Sequence, residues 1–251
     1  DMVYLSDKVD MEIGLRFDDA QVEDARYVLS ESTQTVELDG GDWDNFSPRV
    51  AFNIYTGANT KLRVGYGSAF HAPPLEYMTL TMVRNKGRLF KANAGLEPEE
   101  IDTYEIGFDH MGRRFSWSAG YYFSDAENFI DYMSDGTGDF EAQNVGQVEI
   151  EGIELETSYN RTDTTSYYLN STWTSAKYKE YPADTDFEDK FLPERPIYTG
   201  NMGLRYSRPD DESYSLNLGY VGGRYTDEEN TVRNDAYMKL DLSAKKYLGN
   251  D

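Results

Sequence analysis

The chain has 251 residues, 46 of them acidic and 24 basic, for a formal charge of −22. That balance argues against nucleic acid held on a basic face, and a sequence without cysteine excludes disulfides, cysteine zinc sites and thiol nucleophiles. Apolar residues make up 39%, below the roughly 45 to 50% of ordinary globular domains, yet 14% are aromatic, which separates the chain from acidic disordered sequences.

Period-two alternation runs through the sequence and helical periodicity is nearly missing. After a less regular segment near Tyr4, the residues Val9, Met11, Ile13, Leu15 and Phe17 share one face, with Asp10, Glu12, Arg16 and Asp18 on the other. Phe46, Val50, Phe52 and Ile54 form the next apolar face, followed by Leu62, Val64 and Tyr66. Tyr104, Ile106 and Phe108 then precede Phe115, Trp117, Ala119, Tyr121 and Phe123. In Val148-Glu149-Ile150-Glu151-Gly152-Ile153-Glu154-Leu155-Glu156, a bulge at Gly152 would bring Val148, Ile150, Ile153 and Leu155 onto one face and all four glutamates onto the other. Less regular segments near Leu169 and Met202 lead to Tyr214, Leu216, Leu218 and Tyr220, and then to Met238, Leu240 and Leu242. The pattern predicts about eleven strands.

Short turns around Thr56-Gly57-Ala58-Asn59-Thr60, Met111-Gly112-Arg113 and Pro209-Asp210-Asp211 alternate with long polar stretches near 19–45, 70–100, 124–146, 178–196 and 226–235. No run reaches the roughly 18 apolar residues of a membrane helix, but a membrane barrel strand needs only about 9 to 11 alternating ones. The apolar faces have no second layer of helices or strands to cover them. Alternating loop lengths and missing cover predict an all-β, antiparallel transmembrane β-barrel region over 1–251. Trp117, Trp173 and many of the tyrosines would lie near the two interfaces. A soluble aromatic-rich β-sandwich remains the alternative.

Several motifs add to this reading. Phe46-Ser47-Pro48-Arg49-Val50 opens a strand, and Gly65-Tyr66-Gly67-Ser68-Ala69-Phe70-His71-Ala72-Pro73-Pro74-Leu75 closes one. Ala94-Gly95-Leu96-Glu97-Pro98-Glu99 precedes Tyr104-Glu105-Ile106-Gly107, and Asn144-Val145-Gly146 precedes Glu151-Gly152-Ile153-Glu154. In order and spacing these resemble the C-terminal half of the barrel of TonB-dependent outer-membrane receptors, with His71 where arginine is usual. The resemblance implies about eleven strands of a roughly 22-strand barrel, without its plug, in the outer membrane of a Gram-negative bacterium. Because half a barrel would leave two bare edges, the chain reads as part of a larger barrel. The implied function is uptake of a scarce nutrient, most often a ferric siderophore and sometimes haem or cobalamin, energised by TonB through an N-terminal region and plug outside this chain.

Neither an enzymatic reaction nor a resident cofactor is implied, so the candidate residues are ligand contacts. Arg84, Lys86, Arg88 and Lys91 follow one another with no acidic residue between them, a cluster suited to an anionic ferric chelate or to lipopolysaccharide phosphates. His71 and Tyr77 carry an imidazole and a phenol, both of which ligate haem iron. Asp39, Asp42 and Asp44 gather oxygen ligands around glycines, as a calcium loop does, or form a plain acidic turn. Lumen-facing glutamates are expected to be solvated or paired with Arg63 and Arg205. Two other functions stay open at this point: a soluble adhesion or carbohydrate-binding module, and a hydrolase on a smaller outer-membrane barrel.

Overall fold

The computed structural model describes residues 1–22, 26–28, 35–37, 41–84, 87–134, 136–182, 184–208 and 212–246. Its main element is one antiparallel sheet of eleven strands laid side by side in chain order. They are Met2–Ser6, Val9–Val22, Gly41–Gly57, Thr60–His71, Glu99–Met111, Phe115–Glu127, Gln147–Asn160, Thr165–Glu180, Tyr198–Arg208, Glu212–Val221 and Tyr237–Lys246. The first and eleventh strands pair on one side only, so the sheet is an arc of a barrel wall and not a closed cylinder.

Short connections collect at one end of the arc and long ones at the other, as a hairpin meander requires. The expected turn at 209–211 lies outside the described residues. The expected loop at 19–45 is shorter than the alternation suggested, because the second and third strands stay paired as far as Val22 and Gly41. Ladder hydrogen bonds do not depend on side-chain polarity, so the polar ends of both strands remain extended. The third strand has 17 residues, well beyond the roughly 9 to 11 that cross a bilayer. No helix among the described residues is long and apolar enough to cross a membrane.

Register aligns the apolar residues of successive strands on one face. Ile13 lies opposite Val50, Val50 opposite Tyr66, Val64 opposite Ile106, and Ile106 opposite Tyr121. The row continues through Leu169 and Met202, Met202 and Leu218, and Leu218 and Leu240. Many of these side chains are exposed, Leu15 at 69% and Leu242 at 72%. Aromatic pairs flank the belt. Phe17 with Phe46 and Tyr66 with Tyr104 stand toward the long-loop end, whereas Tyr159 with Tyr167 and Tyr206 with Tyr214 stand toward the short turns. Such girdles bound the apolar band of membrane barrels.

The seventh strand corrects one expectation. Its ladder with the sixth runs in unbroken register from Phe115 opposite Tyr159 to Ala126 opposite Val148, so there is no bulge at Gly152. Glu149 and Glu151 therefore share the outer face with Ile153 and Leu155, while Val148 and Ile150 lie on the inner face with Glu154 and Glu156. The reversal has a physical cause. Above the lipid belt the outer face meets water and the inner face meets packed loops, and Val148 is fully buried there. Gly152 instead gives room to Tyr122, whose ring would come within 2.5 Å of an added Cβ and whose hydroxyl lies 3.0 Å from Thr174 Oγ1.

Among the described residues, buried apolar side chains are confined to the long-loop end. One cluster joins Ala126, Met133, Val145, Val148, Ala176, Tyr178, Tyr181 and Leu192, and a second joins Met78, Leu96, Ile130 and Ala142. Below them the wall is a single layer with a polar inner face. Arg63 donates two hydrogen bonds to Asp109, at 2.8 and 3.3 Å, and Lys61 and Ser118 complete that carboxylate's shell. Arg63 thus turns to Asp109 and not to the seventh-strand glutamates. Arg205 and Glu156 line an inner hollow of about 800 Å³ near the short turns.

Candidate functional site

The site is built on the loop following the fourth strand and the loop following the sixth. Pro73 and Pro74 end the fourth strand, since neither can donate to a ladder. A short helix, Leu75–Thr79, begins there, with Tyr77 and Met78 donating their amide hydrogens to Pro74 O. Beyond it, the short strands Met82–Arg84 and Arg88–Lys91 join Phe140–Asn144 and Ile130–Ser134 of the second loop in one four-stranded sheet. Arg88–Lys91 runs parallel to Phe140–Asn144, with Phe90 opposite Phe140 and Lys91 opposite Glu141.

The segments at 94–99 and 144–146 act here as fasteners of that sheet. Asn144 Nδ2 donates to Glu97 O at 2.9 Å and to Asn128 O at 2.7 Å, while its Oδ1 accepts from Glu97 N at 2.9 Å. Glu99 Oε2 lies 2.9 Å from His71 Nδ1, and its Oε1 accepts from Ile130 N at 2.8 Å. Leu96 and Val145 fill the two apolar clusters beside them. The segments at 94–99 and 144–146, far apart in sequence, therefore lock to each other. Replacing Asn144 by Ala removes three hydrogen bonds and leaves partly buried backbone groups unmatched. A loss of roughly 2 kcal/mol is expected, read as faster proteolysis in 128–146 with the barrel wall intact.

Aromatic rings form a ladder across the loop sheet. Tyr77 meets Tyr132 edge-on with centroids 4.9 Å apart, Tyr132 meets Phe90 at 5.0 Å, and Phe90 stacks on Phe140 at 5.0 Å and 15°. The exposed Arg88 guanidinium lies 5.8 Å from the Phe140 ring centroid at the end of this ladder. Cation and rings together offer both charge and flat apolar surface.

The candidate residues separate accordingly. Arg84 ends a strand of the loop sheet opposite Arg88, and Lys86 lies outside the described residues. Lys91 Nζ lies 3.7 Å from Asp139, whose carboxylate also accepts from Leu89 N at 2.9 Å. The stretch without acidic residues in sequence thus acquires one from the other loop. His71 faces Glu99 and Tyr77 faces Tyr132, so the two take different partners. Asp42 and Asp44 stand in extended strand on the outer face, opposite Gln21 and Asp19, and not in the turn that a calcium loop needs. Asp39 lies outside the described residues. Phe90, Tyr132 and Phe140 were not singled out from the sequence. Their short alternating segments lie inside what reads as polar loop, and only the cross-loop pairing reveals them.

Comparison with known proteins places this geometry. Residues 1–248 match the family model described as "TonB dependent receptor-like, beta-barrel". The vitamin B12 transporter BtuB of Photobacterium profundum is 28% identical over 217 residues, covering 82% of this chain and 33% of that protein. Its counterpart from Vibrio cholerae is 29% identical over 195 residues, covering 74% of this chain and 28% of that protein. The chain thus spans about a third of the length of these curated relatives. Among solved structures, the copper transporter OprC superimposes with a TM-score of 0.80 at 20% identity, over 99% of this chain and 38% of that one. The siderophore receptor PiuA from Acinetobacter baumannii does so with 0.77 at 15% identity, over 99% and 36%. The eleven-strand arc, its exposed apolar belt and the match over nearly its whole length show that the chain belongs to the TonB-dependent receptor β-barrel family of the Gram-negative outer membrane.

Proposed function

We propose that this chain is the ligand-facing and membrane-spanning part of a receptor that takes up a scarce nutrient, an anionic ferric siderophore, with energy supplied through TonB. The long-loop end faces the medium, the belt faces lipid, and the polar inner wall faces the segment that fills the barrel. The observation that carries the ligand reading is the aromatic ladder from Tyr77 to Phe140 ending in Arg88. An aromatic anionic chelate would stack on the rings and place its charge near the guanidinium. Transport of this kind needs binding and release without bond making, so no catalytic residues are assigned. A soluble adhesion module would expose the whole apolar belt to water, which argues against that alternative. A small-barrel hydrolase is disfavoured by the similarity to transporters.

The similarity to vitamin B12 transporters favours cobalamin as a second reading. Cyanocobalamin has one phosphodiester anion balanced by its cobalt, against the several negative charges of a ferric catecholate chelate, so it would gain less from the guanidinium. In the whole receptor, Arg88→Ala is expected to weaken ferric enterobactin binding about tenfold and to weaken cyanocobalamin binding much less. Tyrosine and phenylalanine fluorescence quenching titrations would separate the two. If cyanocobalamin binds tightly and ferric enterobactin not at all, the siderophore reading fails.

A further inference from the structure

The loop after the eighth strand turns back along it, with Phe191 bridging to Lys177 and Leu192 N donating to Ala176 O at 3.0 Å. Leu192 and Ala176 are buried in the inner apolar cluster. Side chains alternate along extended backbone, so Lys177 and Phe191 stand on the outer face, which also carries Trp173 and the lipid belt. The loop after the tenth strand is clamped to Phe191. Asn230 Oδ1 accepts from Phe191 N at 2.7 Å, its Nδ2 donates to Phe191 O at 2.8 Å, and Glu194 N donates to Tyr225 O at 2.7 Å. Tyr225 is thereby stacked on Phe191, with centroids 6.1 Å apart and planes at 19°.

A cation stands over each ring. Lys177 Nζ is 5.0 Å from the Phe191 centroid, and the Arg233 guanidinium is 5.9 Å from that of Tyr225, its partner in the small hairpin of Arg224–Tyr225 with Arg233–Asn234. The Arg233 side chain lies across Gly223, where an added Cβ would come within 2.8 Å of its Nε. Two neighbouring basic residues are already answered, Lys179 by Glu149 at 3.6 Å and Arg224 by Glu194. Lys177 and Arg233 form no ion pair among the described residues. In a chain of charge −22, two unanswered cations held over one pair of rings make a local site for an anion.

Depth decides which anion. Tyr167 belongs to the girdle at the short-turn end, and Lys177 lies ten residues further along the same strand. At about 3.3 Å per residue and a tilt of about 40°, that is a rise of roughly 25 Å, the height of the apolar band of an outer-membrane barrel. Lys177 therefore stands where hydrocarbon gives way to head groups on the side of the long loops. The outer leaflet there is lipopolysaccharide, whose lipid A and inner-core phosphates lie at that level. Aromatic rings suit the same level, with one side apolar and the other wet.

We propose that Lys177, Phe191, Tyr225 and Arg233 form a lipid-facing site for a phosphate group of lipopolysaccharide. The two cations take the phosphate in charge-assisted hydrogen bonds. The rings hold those cations at the rim of the band and cover its apolar flank. Both loops that meet at the stack are then fixed to the leaflet. The site faces away from the lumen, so the inference rests on the outer-membrane assignment and not on which nutrient is taken up.

The test uses the whole receptor in detergent, stripped of bound lipid, with native mass spectrometry counting bound rough lipopolysaccharide. Lys177→Gln with Arg233→Gln is expected to weaken binding about thirtyfold, whereas Lys239→Gln, which removes a charge from the inner face, leaves it unchanged. Lipopolysaccharide freed of its phosphates is expected to bind the wild type as weakly as the intact lipid binds the double variant. Should that variant fail to insert, Arg233→Gln alone, at an exposed side chain, is expected to weaken binding about fivefold. Equal binding by wild type and variants, equal binding of the phosphate-free lipid, or displacement of the lipid by millimolar inorganic phosphate would overturn the proposal.

Discussion

Gly146→Ala is expected to destabilise the long-loop end by about 3 kcal/mol or more. Gly146 has φ of 89°, a left-handed conformation that side chains resist. An added Cβ would also lie 2.4 Å from Glu180 O and 2.9 Å from Pro182 Cδ. The first of these is backbone, so no rotamer change relieves it. The position directly follows Asn144 and Val145, and Phe129 N donates to its carbonyl at 3.3 Å, so displacement would spread to the fasteners of the loop sheet. Near-ultraviolet circular dichroism should show loss of aromatic packing at lower temperature than in the wild type, while far-ultraviolet strand signal persists. A melting profile unchanged from wild type would refute this account of the glycine.

Leu216→Arg is the second large effect. Leu216 sits midway along the tenth strand, on the outer face between Leu204 and Leu242. A cation placed near the bilayer midplane costs about 2 to 4 kcal/mol. Ser215→Arg, one residue away, puts the same charge on the wet inner face and is expected to cost little. Urea titrations of the whole receptor in lipid vesicles would compare the two. Equal losses would mean that the face assigned to lipid is wrong.

Much of the wall was legible because its causes are local. Alternation in Val9–Phe17, Tyr104–Phe108 and Phe115–Phe123 follows from a side-chain period of two, and tight turns at 57–60 and 111–115 follow from the residues that accept them. The expectation failed where the environment of a face changes along a strand. Val148 and Ile150 look out of phase with Ile153 and Leu155 if a single apolar side is assumed, and a bulge at Gly152 is the natural local remedy. The strand is in fact regular, and it is the surroundings that exchange, from lipid outside to packed loops inside.

The candidate site was legible only in part. Arg88 belongs to a basic run that any reading of the sequence notices, but its partner ring Phe140 is supplied by another loop. Lys91 likewise looks unopposed until Asp139 arrives from that same loop. The roles of Asn144 and Glu99 as fasteners depend on contacts between segments that no periodicity links.

By itself the amino-acid sequence determined the class of the protein: strands of one apolar face, short and long connections in turn, and a family pattern spread across the chain. Those properties rest on backbone geometry and on partition between lipid and water, which act residue by residue. Tertiary structure alone decided which loops pair, where the few buried side chains gather, and which charges are answered. Such outcomes depend on non-local packing, where a single register fixes many partners at once.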